Sequence, residues 1–247
     1  MKSLSILFYI ELKLAIREFS AIFFGIIFPV GIVLLMGAIY GDQVAYEGAS
    51  YTMMQQSFGA FVAVGICATG LMGIPLSLSD YRHNKILKRF KVTPISPAQL
   101  LIAQVAVNFL TAIVSGISVF LVSSTIFGYT MTGTLSHFIL AYFLVTLSIY
   151  ALGMLIASVA PNIKIANFLC TLFYFPMLFL SGATIPFEIM PKSLQLAAHI
   201  FPLTHGIKLL KGVSLNQSIK AFSTEMVILV LIALVGTVIS LKYFKWE

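Results

Sequence analysis

From Phe19 to Tyr40 the chain runs 22 residues without one charged side chain. A helix needs about 20 consecutive apolar residues to cross the roughly 30 Å hydrocarbon layer of a bilayer. Similar runs cover about 57–78, 98–127, 136–159, 165–181 and 221–241. Composition says that water cannot be the solvent for all of them. Hydrophobic residues make up 60% of the 247 and charged residues 9%, where a soluble domain carries about 25% charge. An ordinary soluble domain is excluded, and so is a disordered chain, which needs low hydrophobicity. The runs are continuous and about twice the ~10-residue alternating segments of an outer-membrane barrel. The sequence therefore predicts an all-α integral membrane protein, one transmembrane domain over 1–247 with six spans.

The net charge of +7 does not point to nucleic acid, because basic residues in a membrane protein gather in cytoplasmic loops. With the N-terminus inside, the inner segments hold Lys2, Lys13, Arg17, Arg82, Lys85, Lys88, Arg89, Lys91, Lys164, Lys242 and Lys245. The outer segments hold only Lys192, Lys208, Lys211 and Lys220, all in one connection. That asymmetry predicts that both termini lie in the cytoplasm, and the multi-pass chain is expected in the cell's inner, cytoplasmic membrane. The first run exceeds the ~7–15 residues of a signal-peptide core and follows Glu11 and Glu18, so it is expected to stay as an anchor. Cys67 and Cys170 fall inside apolar runs and read as small buried hydrophobes.

Residues 1–18 are too polar to span. Tyr9, Lys13 and Arg17 recur every fourth residue and share one helical face, with Leu4, Leu7, Leu14 and Ala15 roughly opposite. An amphipathic helix of this kind rests on a lipid surface, its basic side toward anionic head groups. Glu11 and Glu18 break the pattern by standing on the apolar side, where they meet either a protein partner or water. The long connection 182–220 is not polar either. Pro186, Pro191 and Pro202 divide it into apolar pieces too short to span, which predicts re-entrant or interfacial helices at the outer boundary.

The inner loop after the second span is the most informative stretch. Ile86, Leu87 and Phe90 recur at helical spacing, while Lys85, Lys88 and Arg89 fill the other side. Ser79 is expected to cap this short helix, with Asp80 in its first turn, and Pro94 ends it. Ser96-Pro97-Ala98-Gln99 then carries a capping serine, proline at the first helical position and glutamine at the capping-box position. A helix over 80–93, held between two spans, can pass force from a cytoplasmic partner; equally, its charges can serve only to set topology.

No catalytic constellation is present. The phosphate-cradling G-x-x-x-x-G-K-[ST] pattern does not occur, and His83, His137, His199 and His205 have no metal-ligand spacing. No carboxylate stands in the middle of a span, whereas proton- and ion-driven carriers use buried ionisable relays. If the chain moves a substrate, the energy comes from another chain. Gln104 and Asn108, four apart with Ser115 continuing their face, either bond between helices or line a path. Gly59, Ala63 and Cys67, with Gly65, Gly70 and Gly73, suit close helix packing, as do Gly153 and Ala157. Pro29 and Pro176 are expected to kink the first and fifth spans. Phe168, Phe173, Tyr174, Phe175 and Phe179 face lipid, other helices or an apolar cargo.

Two stretches resemble the ABC transporter permeases of the second exporter type, membrane subunits that pair with a separate ATPase. Phe90-Lys91-Val92-Thr93-Pro94-Ile95-Ser96-Pro97 is similar to the family's R-[ILV]-T-P-[IVL]-[SR]-P loop. Pro176, Phe179-Leu180-Ser181-Gly182, Pro186, Pro191, Phe201-Pro202-Leu203-Thr204 and Lys211 resemble its pattern between the fifth and sixth spans. The chain departs from it at His83-Asn84-Lys85, where members often carry Glu, at His205 in place of Tyr, and at Lys211 in place of Arg. The resemblance implies that 80–93 is a coupling helix docking on an ABC ATP-binding subunit through Asp80, Arg82, Lys85, Ile86, Leu87, Lys88, Arg89, Phe90 and Lys91. The N-terminal helix, with Glu11, Lys13, Arg17 and Glu18, would flank that contact. A second permease copy or paralogue would complete the path. Gln104, Asn108, Phe175, Phe179, Ser181, Gly182, Pro186, Pro202, Thr204 and His205 are candidates for the path or outer gate. No cofactor is expected in this chain, since ATP and Mg would sit on the partner, so the chain itself is no enzyme. The implied cargo is hydrophobic or amphipathic, as in multidrug, antibiotic, lipid or glycan export. An antimicrobial-sensing or immunity module and an ATP-independent carrier or channel are the alternatives.

Overall fold

A computed structural model describes residues 2–40, 43–46, 48–90, 96–185, 187 and 190–243, without the side chains at 2, 3, 89, 90, 97 and 98. Among the described residues, six helices are long and apolar enough to cross a membrane, and the only pairing of extended backbone is one isolated bridge, Val44 to Thr52. The spans are Phe19–Tyr40, Met53–His83, Gln99–Phe127, Leu135–Val159, Ile163–Leu180 and Ile219–Tyr243. An N-terminal helix, Lys2–Arg17, precedes them. Shorter helices occupy Ile86–Phe90, Lys192–Ala198 and Pro202–Ser214.

The second span is the hub. Nearly every residue from Phe58 to Leu71 is buried, and the main apolar core is built around it. Its small residues let neighbouring backbones approach. A Cβ on Gly59 would stand 2.6 Å from the backbone nitrogen of Lys211, and one on Gly153 of the fourth span would collide with the carbonyl oxygen of Gly70. Such contacts carry helix association in lipid, where apolar surface gains nothing by leaving the solvent. The outer faces of the first, third and sixth spans stay apolar and open, as lipid requires; Leu35, Leu121 and Leu234 are examples.

Two prolines are accommodated by the same device. The helix widens into a π turn at Phe23–Ile27, just before Pro29, and at Thr69–Gly73, just before Pro75. Phe28 and Ile74 donate their N–H groups to carbonyls five residues back, Phe23 and Thr69. The wider turn makes room for a ring that would strike the preceding turn of a regular helix. Pro176 lies inside the helix Ile163–Leu180 with no π turn assigned there.

Three expected boundaries change. Thr52 and Gln55 form a capping box, so the second span starts earlier than residue 57. It also continues through Ser79 and Asp80 to His83. Ser79 is not a cap: it is 1% exposed inside the helix, and the inward contacts of Tyr81 and Arg82 hold the turn beyond it. The chain breaks instead at Asn84–Lys85, with Lys85 at φ 56, and restarts at Ile86. The predicted single helix over 80–93 is therefore two pieces, and residues 91–93 lie outside the described residues. The capping box at Ser96 and Gln99 forms as the spacing predicts. Within the connection 182–220, the helix Pro202–Ser214 packs into the helical bundle. Its residues are buried almost throughout, against Gly59 of the second span, Val145 of the fourth and Phe222 at the start of the sixth.

Candidate functional site

The break after the second span is a joint of three elements. The N-terminal helix brings Leu7 and Glu11 on one face, the short helix brings Leu87, and the third span brings Leu100, Ala103 and Gln104. Leu7, Leu87, Leu100 and Ala103 form a small core, with Leu4 and Tyr81 against it. The carboxylate of Glu11 stands at its edge and is 5% exposed. Tyr81 donates its hydroxyl to that carboxylate, 2.8 Å from Oε1 and 2.7 Å from Oε2. The Nε2 of Gln104 donates to Oε2, and Asn108 Nδ2 donates to the Gln104 carbonyl at 3.0 Å. Burial holds the Glu11 carboxyl above its ordinary range, and the Tyr81 hydrogen bond opposes that rise. A buried acid is costly unless donors meet it. Here two do.

Arg82, one residue further, reaches the other way. Its Nη1 and Nη2 donate to the carbonyls of Ala160 and Ala157 at 2.5 and 3.0 Å. These are carbonyls at the C-terminal end of the fourth span, where a cation also meets the negative end of the helix dipole. The last turn of the second span thus grips the N-terminal helix, the third span and the fourth.

These contacts revise several sequence assignments. Of the two readings open for Glu11, contact with solvent is overturned: it meets Tyr81 and Gln104 of its own chain. Gln104 is 4% exposed and bonds between helices, so it does not line a path. Arg82 and Leu87 do not belong to an outward docking face; Arg82 is engaged inward and Leu87 is 4% exposed in the small core. Ile86 and Asp80 are half-buried, and Asp80 Oδ1 accepts from Asn84 Nδ2 at 3.0 Å. What the joint presents outward is His83, Asn84, Lys85 and Lys88. Lys91 and the side chains of Arg89 and Phe90 lie outside the described residues. On the N-terminal helix Lys13 and Arg17 are exposed, interleaved with exposed Ile6, Ile10 and Ile16, while Glu18 accepts from Ser20 Oγ. The expected apolar stripe also included Leu14, which is exposed. Tyr81 was not singled out by the sequence, although an acid on the apolar side of a helix is itself a signal that a buried donor waits for it.

The candidates for a path or gate fall in other places. Asn108 packs against Gly73. Phe175 and Phe179 stack with centroids 6.4 Å apart on an exposed face of the fifth span. Pro202 opens the inserted helix; Thr204 Oγ1 donates to the Ala198 carbonyl, and His205 Nε2 lies 3.0 Å from the His199 carbonyl. Ser181 and Gly182 form the turn after the fifth span, with Gly182 at φ 88. With Thr204 they border a cavity of about 250 Å³ whose wall also holds Gln56, Lys208 and Lys211. Pro186 lies outside the described residues.

A helical bundle of six apolar spans, with a buried joint beside an exposed basic turn and one helix inserted at the other break, defines a polytopic membrane protein. Residues 2–215 match the sequence pattern of the ABC-2 type transporter family, and the chain belongs to that family. It is 28% identical over 198 residues to Nodulation protein J of Rhizobium leguminosarum bv. viciae, covering 77% of this chain and 73% of that protein. A second Nodulation protein J, from Rhizobium meliloti (strain 1021), is 27% identical over 167 residues, 65% of this chain and 63% of that one. The inner membrane transport permease YhhJ of Escherichia coli (strain K12) is 25% identical over 159 residues, 63% of this chain but 42% of its own length. The chain is thus a membrane transport subunit.

Proposed function

We propose that the chain is the permease subunit of an ATP-driven exporter, coupled to a separate ABC ATP-binding subunit and forming its path with a second permease copy or paralogue. The observation that carries this reading is the joint. The short helix Ile86–Phe90 cannot move as a free loop, because Leu87 is packed between the N-terminal helix and the third span. The preceding turn is bonded to Glu11 and to the end of the fourth span. A push on the exposed turn at His83–Lys88 is therefore passed to three membrane elements at once. Membership of the family supports the nature of the partner. The absence of a carboxylate from the middle of any span argues against a self-powered carrier.

In this reading ATP and Mg bind the partner, both termini face the cytoplasm of an inner-membrane protein, and the N-terminal helix lies in the inner head-group layer. The cargo is hydrophobic or amphipathic. The test is co-purification with a candidate ABC ATPase, reconstitution in lipid, and measurement of ATP hydrolysis with and without cargo. Turnover that depends on the permease and falls when the His83–Lys88 turn is changed supports the reading; unchanged turnover in such variants overturns it.

A further inference from the structure

We propose that the segment from Gly128 to Thr134 is a strap that holds the helix Pro202–Ser214 against the second span, and that its release opens the cavity between them. The strap touches both elements that it joins. On one side Gln55, at the start of the second span, donates through Nε2 to the Thr130 carbonyl at 3.2 Å. On the other the Gly133 N–H and the Thr132 hydroxyl both donate to the Ser214 carbonyl, at 3.0 and 3.2 Å. That carbonyl ends its helix and has no partner to find within it. The approach requires glycine at 133, since a Cβ there would collide with the Val213 carbonyl oxygen.

The fastening is unequal along its length. Tyr129 is 5% exposed and stacks on Phe58 of the second span with ring centroids 4.2 Å apart, so the base of the strap belongs to the core. Thr130 and Thr132 are exposed, and water competes there for each hydrogen bond. A few such bonds at a surface open far more readily than a packed core does. Behind them lies a cavity of about 250 Å³, walled in part by Gln56, Ser57 and Ala60 of the second span and by Thr204, Ile207 and Gly212 of the helix. The helix has Pro202 in its first turn and Asn216 just beyond its end, in the left-handed conformation at φ 60. It is a discrete piece, and its last carbonyl is what the strap pins. With the strap undone, the two walls part at that end and solvent enters between them.

The test is independent of ATP coupling. Ala60 is 4% exposed and lines the cavity. The full chain carrying Ala60→Cys is purified in detergent, and reaction with a charged maleimide is timed by mass spectrometry. Thr132→Val keeps the shape of the side chain but loses its hydrogen bond. It should speed the reaction at position 60 about fivefold, the weight of one such bond in an opening equilibrium. Gly133→Ala, which displaces the strap, should speed it by at least about tenfold. Cys67 and Cys170, both 0% exposed, should stay unlabelled throughout, which separates opening of the cavity from unfolding. Thr132 is exposed, so Thr132→Val folds even if Gly133→Ala does not. An unchanged rate at position 60 in Thr132→Val overturns the strap. Labelling of Cys67 at a matching rate also overturns it, because the segment would then hold the whole bundle together rather than one cavity shut.

Discussion

Tyr81 and Glu11 are 70 residues apart in sequence, and the tyrosine hydroxyl lies 2.7 Å from the carboxylate. Through this contact the N-terminal helix is fixed to the end of the most enclosed span. Gln104 adds a donor from the third span. Any displacement of the second span's last turn then carries the N-terminal helix with it.

Glu11→Ala should lower the melting temperature in detergent, since it leaves two donors without an acceptor in a closed site, a loss of about 1–3 kcal/mol. Glu11→Gln should cost much less. The pH dependence separates the two effects. Burial raises the Glu11 carboxyl above its ordinary 4.5, so the native state binds its proton more tightly than the unfolded chain does. The contribution is therefore most favourable below 4.5 and declines as pH rises through the raised value. Wild type should show that downward slope and Glu11→Gln should lack it; the same slope in both sinks the assignment.

Arg82→Gln should loosen the end of the fourth span. Two guanidinium hydrogen bonds and a cation at a helix C-terminus are lost, together about 2 kcal/mol. Hydrogen exchange should rise at the amides around Ala157–Ala160 while the first span is unaffected. Arg82→Lys should restore the charge but only part of the protection, because one ammonium cannot match the planar fork.

Substitution at two glycines should differ in kind. Gly153→Val drives a side chain into the backbone carbonyl of Gly70, which cannot swing aside, and should cost about 1–3 kcal/mol or prevent assembly. Gly31→Ala meets nothing within 4 Å and should be neutral or stabilise by up to about 1 kcal/mol. Expression and melting of the two variants, measured side by side, check the contrast.

At the joint, Lys88→Glu should abolish permease-dependent ATP turnover by a cognate ATPase while leaving membrane insertion and melting temperature unchanged, because Lys88 is exposed. Leu87→Asp should lower the melting temperature, because it places a charge in a packed core. Normal coupled turnover in Lys88→Glu counts against the exposed turn as the point of contact.

The sequence by itself determined the number and approximate place of the spans, because length and apolarity are local properties that lipid reads directly. It determined the capping box at Ser96 and Gln99 for the same reason, since that signal lies within four residues. The crowding of small residues in the second span foretold close packing, though not which backbone would fill each gap. Only the tertiary structure decided that Ser79 stays helical, that Leu87 and Arg82 turn inward, and that Glu11 is buried. Local preference places a serine at a cap and a charge in water. The cap preference is worth only about 1 kcal/mol, and the larger cost of burying a charge is offset where distant residues offer hydrogen-bonding partners. Those partners, Tyr81 and Gln104 for Glu11 and the Ala157 and Ala160 carbonyls for Arg82, stand between 70 and 93 positions away. A pattern of helical period carries no information across that distance.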